Sequence, residues 1–238
     1  MSFDAKLNRD YAAVRRALKT PEVEGEPSAD QLKALAAANP GSFGLQMRLA
    51  QALNEAGNAA GAIEALERAS QLVPAANGDA NPNVHIAQIA MKQGDTARAI
   101  RALEAVVKVE SSDVESARQL AKLVAPLGDA ARTAAVYGIV AELDPFDVQA
   151  QAVVGRRALQ QKDAARAQRA FRSALAAGPA DKAAAYLDLA EAYFMGGRLA
   201  EAKRETLAAL EIAPAFERAQ DLLLKIISAQ PAGAGGAP

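Results

Sequence analysis

Between Gly128 and Pro145 the chain reads GDAARTAAVYGIVAELDP, and Thr133, Tyr137 and Val140 recur at intervals of four and three, the spacing of one helix face. Gly128 suits the left-handed turn that closes a preceding helix, and the Asp129 side chain can accept from the unpaired amides that open the next. Leu143, Asp144 and Pro145 then stop the helix. The same punctuation returns in GNAAGAIEALERASQLVP from Gly57, GDTARAIRALEAVVKVES from Gly94, KDAARAQRAFRSALAAGP from Lys162 and GRLAEAKRETLAALEIAP from Gly197. The stops at Pro74, Ser111, Pro145, Pro179 and Pro214 lie 37, 34, 34 and 35 residues apart, a 34-residue period interrupted by two short insertions.

Each of these helices is preceded by another with its own fixed pattern. A small residue recurs at Ala50, Ala87, Ala121, Gly155 and Ala190, next to a larger one at Leu49, Ile86, Leu120, Val154 and Leu189. Small beside large lets two helices approach closely while the large side chain fills the remaining gap. The period and the Gly, Ala and Pro punctuation resemble the tetratricopeptide repeat (TPR). That resemblance implies an all-α, right-handed α-solenoid of five TPR-like helix pairs, with a partial N-terminal repeat and a C-terminal capping helix.

The expected organisation is a helical cap and degenerate repeat over residues 1–42, then pairs at about 43–76, 80–113, 114–147, 148–181 and 183–216. A capping helix over 215–230 and a flexible tail over 231–238 complete it. At the N-terminus Phe3, Leu7, Tyr11, Val14 and Leu18 share one helix face, and TPEVEGEP from Thr20 breaks the pattern. Ser28 or Asp30 can cap the next helix. Between the first two full pairs AANGDANP adds three residues, expected to bulge at one edge, with Asn81 and Pro82 opening the following helix. Near the C-terminus Phe216, Ala219, Leu223, Ile226 and Ile227 are expected to face inward, and PAGAGGAP from Pro231 has nothing to bury.

Composition sharpens the reading. Hydrophobic residues make up 51% of the 238-residue chain but aromatics only 4%, with no Trp, so alanine must carry much of the burial. A net charge of −1 gives no global attraction to nucleic acid or an anionic membrane. The absence of Cys removes disulfide and thiolate metal chemistry, and no window approaches a membrane span. A soluble, monomeric chain is expected, cytoplasmic, or periplasmic if it belongs to a longer precursor. Only residues 148–181 are markedly uneven in charge, at +4, through Arg156, Arg157, Lys162, Arg166, Arg169 and Arg172. Phe171, the aromatic nearest these arginines, is expected inward, so they read as a solvated face rather than a nucleic-acid interface.

The single histidine, His85, has no Cys or second His to work with, and HExxH, phosphate-loop and dinucleotide motifs are absent. No enzymatic activity, cofactor or metal is expected. What the resemblance implies instead is a concave groove, lined by the first helix of each pair, for an extended peptide or a partner helix. Projected onto this sequence, the lining is Arg48, Gln51 and Asn54, then His85, Gln88 and Lys92, then Arg118, Gln119 and Lys122, then Arg156 and Gln160, and finally Leu187, Glu191 and Phe194. Phe194 and Met195 either anchor a ligand or pack on the C-terminal helix. The Lys and Asn clamp with which some family members hold C-terminal carboxylates is not carried: Met47, Gln51, His85, Glu115 and Gln119 stand at those positions. Arg118, Lys122 and Arg156 suggest a protein partner bearing acidic residues. The alternative reading is an interaction module of a larger bacterial-type enzyme or of a secretion or assembly component.

Overall fold

The computed structural model describes residues 27–229, so the helix expected over residues 3–19 and the C-terminal tail lie outside the described residues. Among the described residues there are twelve α-helices, packed in sequential pairs, and every regular element is helical. The chain divides into two compact units between Leu123 and Val124.

The first unit contains α1 (Ala29–Ala38), α2 (Phe43–Glu55), α3 (Ala59–Leu72), α4 (Pro82–Gln93), α5 (Thr96–Val109) and α6 (Val114–Val124). Each of the first four packs on its successor. Ser28 caps α1 through a capping box: its hydroxyl accepts from the Gln31 amide at 3.3 Å while the Gln31 side chain accepts from the Ser28 amide at 2.9 Å. The core is Leu45, Leu49, Ile63, Leu66, Ile86, Ile100, Leu103 and Val106, with Ala50, Ala69 and Ala87 filling the close contacts.

The second unit contains α7 (Ala130–Leu143), α8 (Val148–Gln160), α9 (Ala164–Ala176), α10 (Lys182–Met195), α11 (Leu199–Ile212) and α12 (Glu217–Ala229). Here each helix packs on the next, and α10 also touches α8 and α12. Phe171, Leu187, Leu189, Tyr193, Leu222 and Ile226 centre the core. The inward face of α12 is turned from the expected one: Leu222 is buried in place of Leu223, and Ile227 is half exposed at 50%. With Ala219 and Ile226 this gives the seam 219, 222, 226, the three-and-four spacing of a straight helix.

The punctuation read from the sequence corresponds to backbone geometry. Gly57, Gly94, Gly128 and Gly197 all have φ between 71° and 79°, and Lys162, aligned with them, is driven to φ 60° although it carries a Cβ. Asn58, Asp95, Asp129 and Asp163 cap the helices that follow, each accepting from an amide three residues on at 2.9 to 3.0 Å. The fifth copy has Arg198 there and no side-chain cap. The small slots hold as well: Ala50, Ala87, Ala121 and Ala190 are buried, and Gly155 is so close to Phe171 that an added Cβ would lie 2.5 Å from the ring. Val154 departs from the pattern, being only half-buried.

Candidate functional site

In the first unit α2 and α4 stand on either side of α3 and leave a cavity of about 340 Å³. Its floor is Leu66 of α3 with Ala50 and Ile89, and its walls carry Met47, Arg48, Gln51 and Asn54 from α2 and His85, Gln88 and Lys92 from α4. All six groove residues expected on these two helices therefore meet in one concavity. The reason is helical geometry: positions 47, 48, 51 and 54, and 85, 88 and 92, recur at three and four residues and so share a face.

The three-residue insertion is also part of this site. It folds as a 3₁₀ turn over Gly78–Ala80, its Gly78 amide donating to the Glu110 carboxylate at 2.8 Å. The turn, exposed to solvent, puts Asp79 into the cavity wall, where the Asp79 carbonyl oxygen lies 2.8 Å from His85 Nε2. The histidine thus donates to a backbone oxygen and is held in place. Gln51 donates to Glu55 at 3.0 Å. Arg48 and Lys92 have no ion-pair partner among the described residues, so the wall carries two available cations against the single Asp79 carboxylate. Arg118, Gln119 and Lys122 belong to α6 and do not line this cavity.

In the second unit α8 and α10 border a cavity of about 560 Å³ containing Gln149, Ala152, Arg156 and Asp188. The projected family groove presents Arg156 as a cation open to a partner. Its guanidinium instead pairs with Asp188 at 3.3 Å. The Asp188 side chain is only 14% exposed while that of Arg156 is 60% exposed. Burial therefore pushes the Asp188 carboxyl above the ordinary carboxylate range, with Arg156 offsetting part of that rise. A neighbouring cavity of about 620 Å³ holds Gln160, Glu191, Phe194 and Met195 together with Arg218 and Leu222 of α12. There Glu191 pairs with Arg218 at 2.9 Å. Phe194 is partly buried against the core, and Met195 remains 43% exposed. Leu187, expected on the groove surface, is fully buried: α10 is packed by α8, α9, α11 and α12, and that side chain turns into the core between them.

A helix-pair repeat with concavities lined by first helices defines a class of binding scaffolds. The tetratricopeptide repeat pattern matches residues 53–124 and 158–226, more than half of the chain, which belongs to the tetratricopeptide repeat family. No curated protein matches the sequence. Among solved structures the chain is similar to YrrB, described as a TPR protein with an unusual peptide-binding site, at 14% identity and TM-score 0.50 over 82% of this chain and 98% of that one. It is also similar to MamA of Desulfovibrio magneticus RS-1, at 26% identity and TM-score 0.45 over 64% and 96% of the two chains. TTC0263, a TPR protein of Thermus thermophilus, shows 22% identity and TM-score 0.37 over 79% and 98%. TPR domains generally are protein-interaction modules and typically non-catalytic. Among the described residues no helix is long and apolar enough to cross a membrane, and no three His, Asp or Glu side chains cluster as metal ligands.

Proposed function

We propose that this chain is a non-catalytic interaction scaffold whose first unit seats an extended or helical peptide segment bearing a carboxylate in the cavity between α2 and α4. The observation that carries the reading is the pairing of Arg48 and Lys92, without ion-pair partners, with side-chain amides above an apolar floor. Guanidinium and ammonium groups bind carboxylates through charge-assisted hydrogen bonds. Gln51, Asn54 and Gln88 can serve the peptide backbone, whose donors and acceptors amides match in either orientation. Leu66 and Ile89 offer an apolar side chain somewhere to be buried.

In the second unit the two cavities lined by α8 and α10 are weaker candidates for an acidic guest, because Arg156 and Arg218 are already paired with Asp188 and Glu191.

The test is fluorescence anisotropy with two labelled decapeptide pools, alternating in Glu in one and in Gln in the other. Wild type should favour the Glu pool, and Arg48→Glu/Lys92→Glu should lose roughly tenfold in affinity for each charge-assisted contact removed. Equal binding of both pools, or of both proteins to the Glu pool, overturns the proposal.

A further inference from the structure

The second unit has another concavity, of about 800 Å³, which shares no lining residue with the cavity that holds Arg156 and Asp188. Its walls are α9 and α11, and its floor is Leu189 and Tyr193 of α10, which are 3% and 6% exposed. At its mouth stands Phe146, an aromatic side chain 68% exposed to water. Phe146 lies in the turn between α7 and α8, and that turn is fixed. Its amide donates to the Asp144 carboxylate at 3.0 Å, and Gln151 Nε2 donates to the Pro145 carbonyl at 3.1 Å. The hydrogen-bonded backbone of this turn therefore places a solvated phenylalanine at the edge of a concavity whose floor is apolar.

The charges around this groove are uneven. Arg204 grips Glu205 through two contacts of 3.0 and 2.6 Å, so those two cancel. Arg169 and Arg172, one turn apart on α9, both exposed, have no ion-pair or hydrogen-bond partner among the described residues. They sit in the one stretch, residues 148–181, that carries +4 while the whole chain carries −1.

We infer that the groove between α9 and α11 binds an acidic amphipathic helix of a partner protein, with its apolar stripe against Phe146 and the floor and its carboxylates on Arg169 and Arg172. A helix laid in a hydrophobic groove buries an i, i+3, i+4, i+7 stripe, and acidic residues flanking that stripe complement a cationic wall. The apolar floor favours this occupant over a nucleic-acid strand, whose phosphates would meet the arginines but which has no aliphatic stripe to bury.

The probe is a labelled peptide of about 16 residues with Leu at the stripe positions and Glu elsewhere, compared with a scrambled peptide of the same composition and an oligothymidylate of about 15 nucleotides. Wild type should bind the amphipathic peptide in preference to both. Arg169→Glu/Arg172→Glu should weaken it by about tenfold or more and Phe146→Ala by a similar factor, while Arg169→Lys/Arg172→Lys retains most of the affinity. These side chains are exposed, so unchanged thermal midpoints should accompany the losses. Arg48→Glu/Lys92→Glu should leave this binding intact, which separates failure here from failure of the first-unit reading. Undiminished binding by the charge-reversed or Phe146→Ala protein, equal binding of the scrambled peptide, or binding of the oligothymidylate alone overturns the inference.

Discussion

Replacing Gly155 by Ala sets two effects of known sign against each other. Inside a helix the change gains about 1 kcal/mol of intrinsic propensity. In this protein the new Cβ would lie 2.5, 2.6 and 2.7 Å from three atoms of the Phe171 ring, whereas non-bonded carbons rest at about 3.5 to 4.0 Å. The ring would have to retreat by roughly 1 Å, and it is only 2% exposed, enclosed by core. Overpacking of that kind costs about 1 to 3 kcal/mol, so Gly155→Ala should be net destabilising by roughly 1 kcal/mol. Urea unfolding of wild type, Gly155→Ala, Phe171→Leu and the double variant measures the balance. Because the conflict is between these two side chains, the alanine should cost little or become favourable once the ring is gone, a coupling of about 1 to 3 kcal/mol. Gly138, also inside a helix but with nothing within 4 Å of an added Cβ, is the control: Gly138→Ala should stabilise by up to about 1 kcal/mol. If Gly155→Ala stabilised as much as Gly138→Ala and added independently to Phe171→Leu, the close-approach argument would be refuted.

Three further outcomes follow from single side chains. Lys162 occupies the left-handed region at φ 60°, so Lys162→Gly should raise the unfolding free energy by about 0.5 to 1 kcal/mol. The Tyr137 hydroxyl is buried without a hydrogen-bond partner among the described residues, and Tyr137→Phe should raise the thermal midpoint, by about 1 kcal/mol of stability. The raised Asp188 carboxyl binds a proton more readily folded than unfolded. Stability should therefore fall as pH rises from the unfolded carboxylate value through the raised folded one, and recover on acidification. Asp188→Asn should be more stable than wild type at neutral pH and lack that segment of pH dependence in chemical denaturation.

The helix pairs were legible because their signals are local. A capping side chain contacts an amide three residues away, and a left-handed glycine acts on its own turn, so Asn58, Asp95, Asp129 and Asp163 can be read from spacing alone. The α2 and α4 residues that line the first cavity needed the family's groove pattern as well, projected onto first helices whose faces repeat at three and four residues. What escapes depends on neighbours further along the chain. Arg156 and Asp188 are 32 residues apart, close to one repeat, and their pairing requires two first helices to be set side by side. The projected family groove assigns Leu187 outward, but α10 is covered by four helices, which leaves it less free surface than an isolated pair would. The insertion around Gly78 announces itself only as extra length, and its Asp79 joins the cavity because Glu110 holds the turn. Phe171 lies within the helical stripe and is buried as expected, while Phe146 sits in a turn, where no periodicity speaks for its exposure.

The most direct measurement of the central claim is a ¹⁵N-resolved NMR titration of the whole chain with the Glu-alternating decapeptides, following backbone amides and the side-chain NH₂ groups of Gln51, Asn54 and Gln88. Binding in the α2–α4 cavity predicts saturable shifts at those three amides and at the backbone around Arg48, Asp79, His85 and Lys92, lost together in Arg48→Glu/Lys92→Glu. Shifts confined to the outward faces of α3 and α5, or shifts that persist unchanged in the charge-reversed protein, would contradict it.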